Sequence, residues 1–476
     1  MGFIILVTLH VLLILLSLFH IVLYGSRPVK SLSWLLLVIL LPFFGVMFYI
    51  VFGISRRRSG IFRLKETRKR LAYDKKYRNL DEVEAEDIHL PNAKNEKLAR
   101  LILNSTSFPV YDGNKVDVLL EGKKTFDIIF QEMEKATHFI HIQYYIFEEG
   151  DLLNRVYNIC KKKAAEGVEI RILYDAIGSF FLRKKKIKKF RDLGANIYTT
   201  MPLHYGSFLF TLNYRNHRKI IIIDGKVGFT GGVNISDKYI RKFSHLGIWD
   251  DTHVRLEGPV VGSLHKVFIK DYYFASNYEN LCREEYLPRL EKFGDKKVQI
   301  VASGPDSIHP SIMQQYLTMI NLSEETIYIS NPYFIPNSAM LESLRIAALR
   351  GVKIKILVPK HSDSWLAKNS MFSFFQEMLS LGIEIYLQET AFLHSKLIIV
   401  DNDITSIGSG NFDHRSFEHN FETNAVIYDT TVTERMQKEF LEDCKNGVQL
   451  NYDQYQNRKL TQKLSEGIAR FFSPLL

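Results

Sequence analysis

The 476-residue chain carries 62 Lys and Arg against 52 Asp and Glu, a formal net charge of +10, with 46% hydrophobic residues and three cysteines. That length and apolar content exclude a disordered or fibrous chain and allow two or three domains around large cores. Cys160, Cys282 and Cys444 stand far apart with no C-x-x-C or Cys/His metal spacing, which excludes a disulfide scaffold or zinc module and reads as reduced thiols.

Two apolar stretches open the chain. Phe3 to Leu23 is interrupted only by Thr8, His10, Ser17 and His20, and Leu32 to Phe52 by Ser33. Each matches the roughly 20 residues that cross a bilayer as a helix. Joined by the turn Gly25-Ser26-Arg27-Pro28-Val29-Lys30, residues 1–53 predict a transmembrane hairpin. The first stretch lacks a basic n-region and a small-x-small cleavage site, which argues against a signal peptide. Pro42 and Gly45 are tolerated in membrane helices, and His10 and His20 are expected to face the partner span as neutral rings.

Residues 54–110 read as a juxtamembrane linker, basic and then acidic. Residues 54–80 hold eleven Lys and Arg against Glu66 and Asp74, so most of the positive surplus is local. The positive-inside bias places residues 54 onward in the cytoplasm. The tract either also binds anionic headgroups, at about 1 kcal/mol per basic side chain near the surface, or serves only as a topology signal. Asp81, Glu82, Glu84, Glu86 and Asp87 follow, so no uniform nucleic-acid-binding face is indicated.

The remainder divides into two similar halves, 111–290 and 291–476. Strand-like runs His138 to Tyr145, Gly167 to Leu173 and Gly194 to Tyr198 recur in the same order as Thr326 to Tyr333, Gly351 to Leu357 and Gly382 to Tyr386. Helix-like stretches lie between them: 151–166 and 182–193, then 338–350 and 364–381. Alternation of this kind predicts an α/β fold with a mixed sheet in each half, covered by helices. Ile220 to Ile223 and Leu397 to Val400 are apolar on both faces and predict central, doubly covered strands. Tyr205, Phe208, Phe210 and Tyr214, in an extra loop of the first half, fit a substrate entrance or a buried loop core equally well. Leu460, Leu464, Ile468, Phe471 and Phe472 sit at helical spacing, which fits core packing as well as interfacial binding.

The repeat carries chemistry. H-x-K-x4-D occurs as His217, Lys219, Asp224 and again as His394, Lys396, Asp401, and each copy is followed by G-x-x-N, ending at Asn234 and Asn411. On a strand, histidine and lysine share a face, whereas each aspartate lies an odd number of residues away and points elsewhere. The aspartates are therefore expected to be structural supports within the motif.

Cleaving a phosphodiester takes a nucleophile, a proton for the departing alkoxide and compensation for phosphoryl charge. Two copies face to face supply one imidazole for attack and one for protonation, with Lys219, Lys396, Asn234 and Asn411 holding the phosphoryl oxygens. No metal or other cofactor is required. Each histidine needs an acceptor at its second ring nitrogen, and aligning Thr252 with Thr423 nominates Asp251 and Glu422 as the orienting carboxylates.

The doubled motif resembles the phospholipase D superfamily from about residue 111 to the C-terminus. The membrane hairpin, Asp175-Ala-Ile-Gly-Ser179, Asn411-Phe-Asp-His-Arg-Ser416, Asn420-Phe-Glu422 and the apolar tail 469–476 are similar more specifically to bacterial cardiolipin synthases. That resemblance implies two phospholipase D-like halves and a catalytic set of His217, Lys219, Asp224, His394, Lys396 and Asp401, with His217 as nucleophile and His394 as general acid. It implies transfer from one phosphatidylglycerol to another, giving cardiolipin and glycerol, by a multi-pass enzyme of the bacterial cell membrane with a cytoplasmic catalytic domain. Hydrolysis by water, phosphatidylserine synthesis and a non-catalytic membrane scaffold are the alternatives; intact motifs disfavour the scaffold.

Overall fold

The computed structural model describes residues 2–24, 28–53, 90–202, 213–242, 246–277, 279, 281, 286 and 291–476. The basic and acidic tracts of residues 54–87, the turn residues Gly25 to Arg27, Cys282, Tyr205, Phe208 and Phe210 lie outside the described residues. Two compact units result, Met1–Val83 with Pro202–Tyr214 and Pro305–Ile308, and Glu84–Met201 with Arg215–Gly304 and His309–Leu476.

In the first unit the helix Gly2–Tyr24 contains Ile5–Leu23, which among the described residues is the one helix long and apolar enough to cross a membrane. Its apolar side chains point outward, Leu6 69% and Val22 71% exposed, a surface that lipid covers at no cost and water does not. The expected second span is broken into Pro28–Leu40, Pro42–Phe48 and a π-helical turn Tyr49–Gly53. The break falls at Leu41, with φ −128° and ψ 68°. Pro42 causes it, because proline has no N–H and its ring clashes with the preceding turn. His20 Nδ1 lies 2.6 Å from the Tyr49 hydroxyl and His10 packs on Phe43, so both histidines do face the second segment.

The second unit is built on one 15-stranded sheet. The first half contributes β1 (Val110–Leu119), β2 (Phe139–Tyr144), β3 (Glu169–Asp175), β4 (Asn196–Thr200), β5 (Ile220–Ile223), β6 (Val227–Gly231) and β8 (His253–Glu257). The second contributes β9 (Lys296–Ser303), β10 (Thr326–Ser330), β11 (Lys353–Pro359), β12 (Glu384–Gln388), β14 (Leu397–Val400), β15 (Ile404–Gly408), β16 (Glu422–Tyr428) and β17 (Val448–Gln449). From each edge inward the order is the same: β4-β3-β2-β5-β6-β8-β1 in one half and β12-β11-β10-β14-β15-β16-β9 in the other, with β17 added outside β12. The halves join where β1 and β9 pair antiparallel, so the two expected sheets are one sheet with an internal two-fold repeat. A separate two-stranded pair, β7 (Trp249–Asp250) parallel to β13 (Phe392–Leu393), links the halves a second time.

Burial follows strand alternation. Ile221 and Ile223 enter the first half's own core, Ile398 and Val400 the second's, whereas Ile220, Ile222, Leu397 and Ile399 face a core common to both. Val260–Ala275 and Thr430–Asn446 cover that common core. Each such fully buried side chain stabilises by about 1.5–3 kcal/mol, so the faces of these strands are fixed and the motif residues ahead of them are aimed.

Three local features correct or refine the expectation. The stretch 364–381 forms two helices, Trp365–Phe372 and Phe375–Ser380. Ala93–Thr106, in the stretch read as linker, is a helix capped by Asn92 and tied to the second half by Lys94 Nζ at 2.5 Å from Asp401. In the C-terminal helix Leu460–Phe471 the apolar stripe does not enter the core: Leu460, Leu464, Ile468 and Phe471 are exposed, while Ala469 and Glu466 are buried, the latter against Arg458.

Candidate active site

Each H-x-K segment leads into a central strand, His217 and Lys219 before β5 and His394 and Lys396 before β14. Each histidine is also held across the repeat, by the opposite half. The His217 backbone N–H donates to the Phe421 carbonyl at 2.9 Å, and the His394 N–H donates to the Asp250 carbonyl at 2.6 Å. Phe421 and Asp250 each precede an orienting carboxylate, so the backbone contact delivers the side-chain contact with it.

His217 Nδ1 lies 3.0 and 3.1 Å from the two oxygens of Glu422 and 3.1 Å from the Ser409 carbonyl. Since a carbonyl only accepts, Nδ1 carries the proton and Nε2 keeps its lone pair. His394 Nδ1 lies 2.6 Å from Asp251 Oδ2. The first half's imidazole is thus held by the second half's carboxylate, and the reverse. The imidazoles retain a little exposure, 8% for His217 and 5% for His394, while Asp251, Glu422, Lys219 and Lys396 have 1% or none. A substrate can therefore reach the rings but not the carboxylates behind them.

Glu422 also accepts from Ser409 Oγ at 2.5 Å, Ser416 Oγ at 2.9 Å and Asn420 Nδ2 at 3.3 Å. Burial works to raise its carboxyl, but His217, Lys219 and the Ser409 hydroxyl outweigh it and hold the group below the ordinary range. Asp251 has fewer donors, and burial pushes it up to about 6 against the pull of Lys396 and Lys219. Burial lowers both histidines, His394 the further, with Lys396 and Lys219 adding to the effect; at His217 Glu422 opposes it. Burial also brings Lys396 down to about 8 and Lys219 well below its usual value.

Each lysine donates to the carbonyl of its own histidine, Lys219 at 2.8 Å, and Lys396 Nζ also lies 2.9 Å from His394 Nδ1; an ammonium has three N–H groups, so each retains at least one to offer. Asn234 accepts from the Ile146 N–H at 3.2 Å and donates to the Tyr239 hydroxyl at 3.3 Å. The Asn411 N–H donates to Ser416 Oγ at 3.1 Å, one bond from Glu422. Asp224 and Asp401 stand apart. Both adopt positive φ, 52° and 51°, at the turns after β5 and β14. There Asp224 accepts from the N–H groups of Thr137, His138 and Phe139, and Asp401 from those of Glu324, Glu325 and Thr326, so each carboxylate caps the start of the neighbouring strand.

Several site residues escape sequence reasoning. Tyr239 bridges Asn234, Asp251 and His394, its hydroxyl 3.3 Å from Asp251 Oδ2 and 3.2 Å from His394 Nδ1. Tyr145 packs edge-on against His217 at 4.9 Å and Trp249 tilts over His394 at 4.9 Å. Arg218 pairs with buried Asp271 at 2.6 Å. Only Ser409 had a signal, as the residue after the repeated Gly408. Gly232 is its counterpart, and a Cβ there would collide with the Asp251 carboxylate. Among the described residues no group of three or more His, Cys, Asp or Glu side chains is arranged to hold a metal ion.

A two-fold α/β body that buries two H-x-K imidazoles where its halves meet is the architecture of the phospholipase D superfamily. The family described as cardiolipin synthase, PLD-like domain, matches residues 129–271 and 316–444, and the phospholipase D-nuclease N-terminal family matches 12–53. A cardiolipin synthase of Alkalihalophilus pseudofirmus is 38% identical over 95% of this chain and 90% of its own length. One of Halalkalibacterium halodurans is 37% identical over 100% of this chain and 94% of its own. The chain belongs to the cardiolipin synthase family of the phospholipase D superfamily. The crystal structure of phosphatidylserine synthase from Haemophilus influenzae shares the fold, with a TM-score of 0.60 at 13% identity, covering 80% of this chain and 100% of that one. With the apolar N-terminal helix, family membership makes this a membrane-associated protein acting on phospholipid.

Proposed function

We propose that the chain transfers a phosphatidyl group from one phosphatidylglycerol to a second, releasing glycerol and forming cardiolipin through a phosphohistidine on His217. The observation that carries this reading is the crossed anchoring of the two imidazoles, His217 to Glu422 and His394 to Asp251. His217 Nε2 attacks phosphorus, the bond to the glycerol oxygen breaks, and His394 gives that oxygen its proton. The free hydroxyl of the second phosphatidylglycerol then returns a proton to His394 while its oxygen displaces His217. Lys219, Lys396, Asn234 and Asn411 hold the non-bridging oxygens; Asp251 and Glu422 orient the rings; Asp224 and Asp401 support the strands.

The division of labour follows from the carboxylates. Glu422, held ionised by its donors, offsets the positive charge of a phosphorylated imidazole. Asp251, raised to about 6 by burial, is the less firmly ionised of the two carboxylates, which suits the partner of an imidazole that releases and takes back a proton. In this reading both N-terminal segments are membrane spans, and the catalytic body lies on the cytoplasmic side of a bacterial cell membrane.

The test is to purify the protein in detergent and supply phosphatidylglycerol alone. Cardiolipin and glycerol in equal amounts are expected; phosphatidic acid as the main product would replace transfer by hydrolysis. His217→Ala and His394→Ala should each abolish turnover, with radiolabelled lipid trapped on His217 and not on His394.

A further inference from the structure

The turn after β3 is fixed to the wall of the His217 pocket. Asp175, fully buried, accepts from the N–H groups of Ile177 at 2.9 Å and Gly178 at 3.0 Å and, with its other oxygen, from the Asn216 N–H at 2.9 Å. Ser179 donates its hydroxyl to the Tyr145 carbonyl at 3.0 Å and accepts from the Phe147 N–H at 3.0 Å. The Tyr145 ring is the one that packs on His217. At Gly178 a Cβ would collide with the Tyr145 carbonyl, so this approach requires glycine.

Immediately beyond, Phe180 and Phe181 are 68% and 84% exposed, with ring centroids 5.5 Å apart. Two adjacent aromatic rings held out on a braced turn are unfavourable in water. The helix Lys184–Asp192 follows, packed inward by Phe190. Its Lys184, Lys185, Lys188 and Lys189 are exposed, and none has a carboxylate partner among the described residues. Arg183 is engaged by Glu149 at 2.9 Å and Lys186, half-buried, by Asn154 at 2.6 Å, which leaves these four as the exposed lysines of the helix. An apolar tip beside flexible ammonium groups complements a surface that is apolar inside and anionic outside.

We propose that Phe180 and Phe181 insert into the interface of an anionic phospholipid bilayer while Lys184, Lys185, Lys188 and Lys189 hold its headgroups, docking the catalytic body on the membrane beside the His217 pocket. The proposed lipid substrate supplies the purpose of such docking, but its chemistry stands on these residues alone.

The experiment therefore reads lipid contact and not turnover. The photoreactive residue p-benzoylphenylalanine is placed at position 181 of the full chain, or at exposed Glu134 on the helix Gly122–Lys135 as a reference, and the protein is reconstituted in vesicles of phosphatidylglycerol and phosphatidylcholine. Irradiation should attach phospholipid at 181 and not at 134. Neutralising the lysines (K184Q, K185Q, K188Q, K189Q) should lower that adduct by about fivefold per lysine, the equivalent of about 1 kcal/mol per basic group. Turnover of short-chain phosphatidylglycerol in detergent should be unchanged, which reports an intact fold. Equal adducts at 181 and 134, adducts at 181 to a second copy of the chain, or adducts indifferent to the lysine substitutions would overturn the proposal.

Discussion

Glu422→Gln tests the crossed anchoring most directly. The substitution keeps the side chain's shape in a site with no exposure, but it removes the charge that faces His217 Nδ1 at 3.0 Å. A hydrogen bond to a charged group contributes about 1.5–3 kcal/mol, and each 1.36 kcal/mol is tenfold in rate. Phosphohistidine formation should thus slow by about 10- to 100-fold, with KM little changed because Glu422 does not reach the substrate. Asp251→Asn should slow turnover of phosphatidylglycerol comparably, but through the leaving group. The assay compares phosphatidylglycerol with a phosphatidyl-p-nitrophenol ester, whose leaving group departs without a proton. Asp251→Asn should recover most of its rate on the nitrophenyl ester and Glu422→Gln should not. Equal recovery by both variants, or near-normal rates for Glu422→Gln, would refute the assignment of one carboxylate to each role.

Other consequences are open to measurement. His394 is lowered by burial and by the charges of Lys396 and Lys219, which a bound phosphodiester anion offsets; its proton is then held to higher pH, so the alkaline limb of kcat should lie above that of kcat/KM. Coincident limbs would contradict this. Gly232→Ala places a methyl group against the Asp251 carboxylate and should cut kcat steeply while leaving thermal stability within a few degrees. Asp224→Ala strips the acceptor from three N–H groups and should cost about 1–3 kcal/mol, read as a lower Tm. Burial works to raise the Asp224 carboxyl, but its N–H donors outweigh it and depress it, so its stabilisation is present above the unfolded carboxyl pKa and is lost as pH falls through the folded one. The Tm deficit of Asp224→Ala should accordingly be full near neutrality and shrink in acid. A chelator should leave turnover unchanged; strong loss would contradict chemistry carried by the chain's own side chains.

Periodicity and repetition made much of this protein legible in one dimension. Two doubly apolar strands, the helices between them and the paired H-x-K segments follow from local pattern, because strand alternation fixes which residues share a face. Parity alone put Asp224 and Asp401 away from the imidazoles, and they cap neighbouring strands instead. Alignment of the two threonines nominated Asp251 and Glu422. It did not say which histidine each would hold, since that pairing joins residues 143 and 205 positions apart. Nor did composition foretell that the C-terminal stripe stays outside the core, or that Pro42 divides the second apolar segment.

The inventory of chemistry, one motif repeated in two similar halves, is written in the order of residues. That the halves share one sheet through β1 and β9 and exchange carboxylates emerges only on folding. A repeat dictates the face on which each group lies, whereas contact between the repeats depends on how their common core packs, a property no single half possesses.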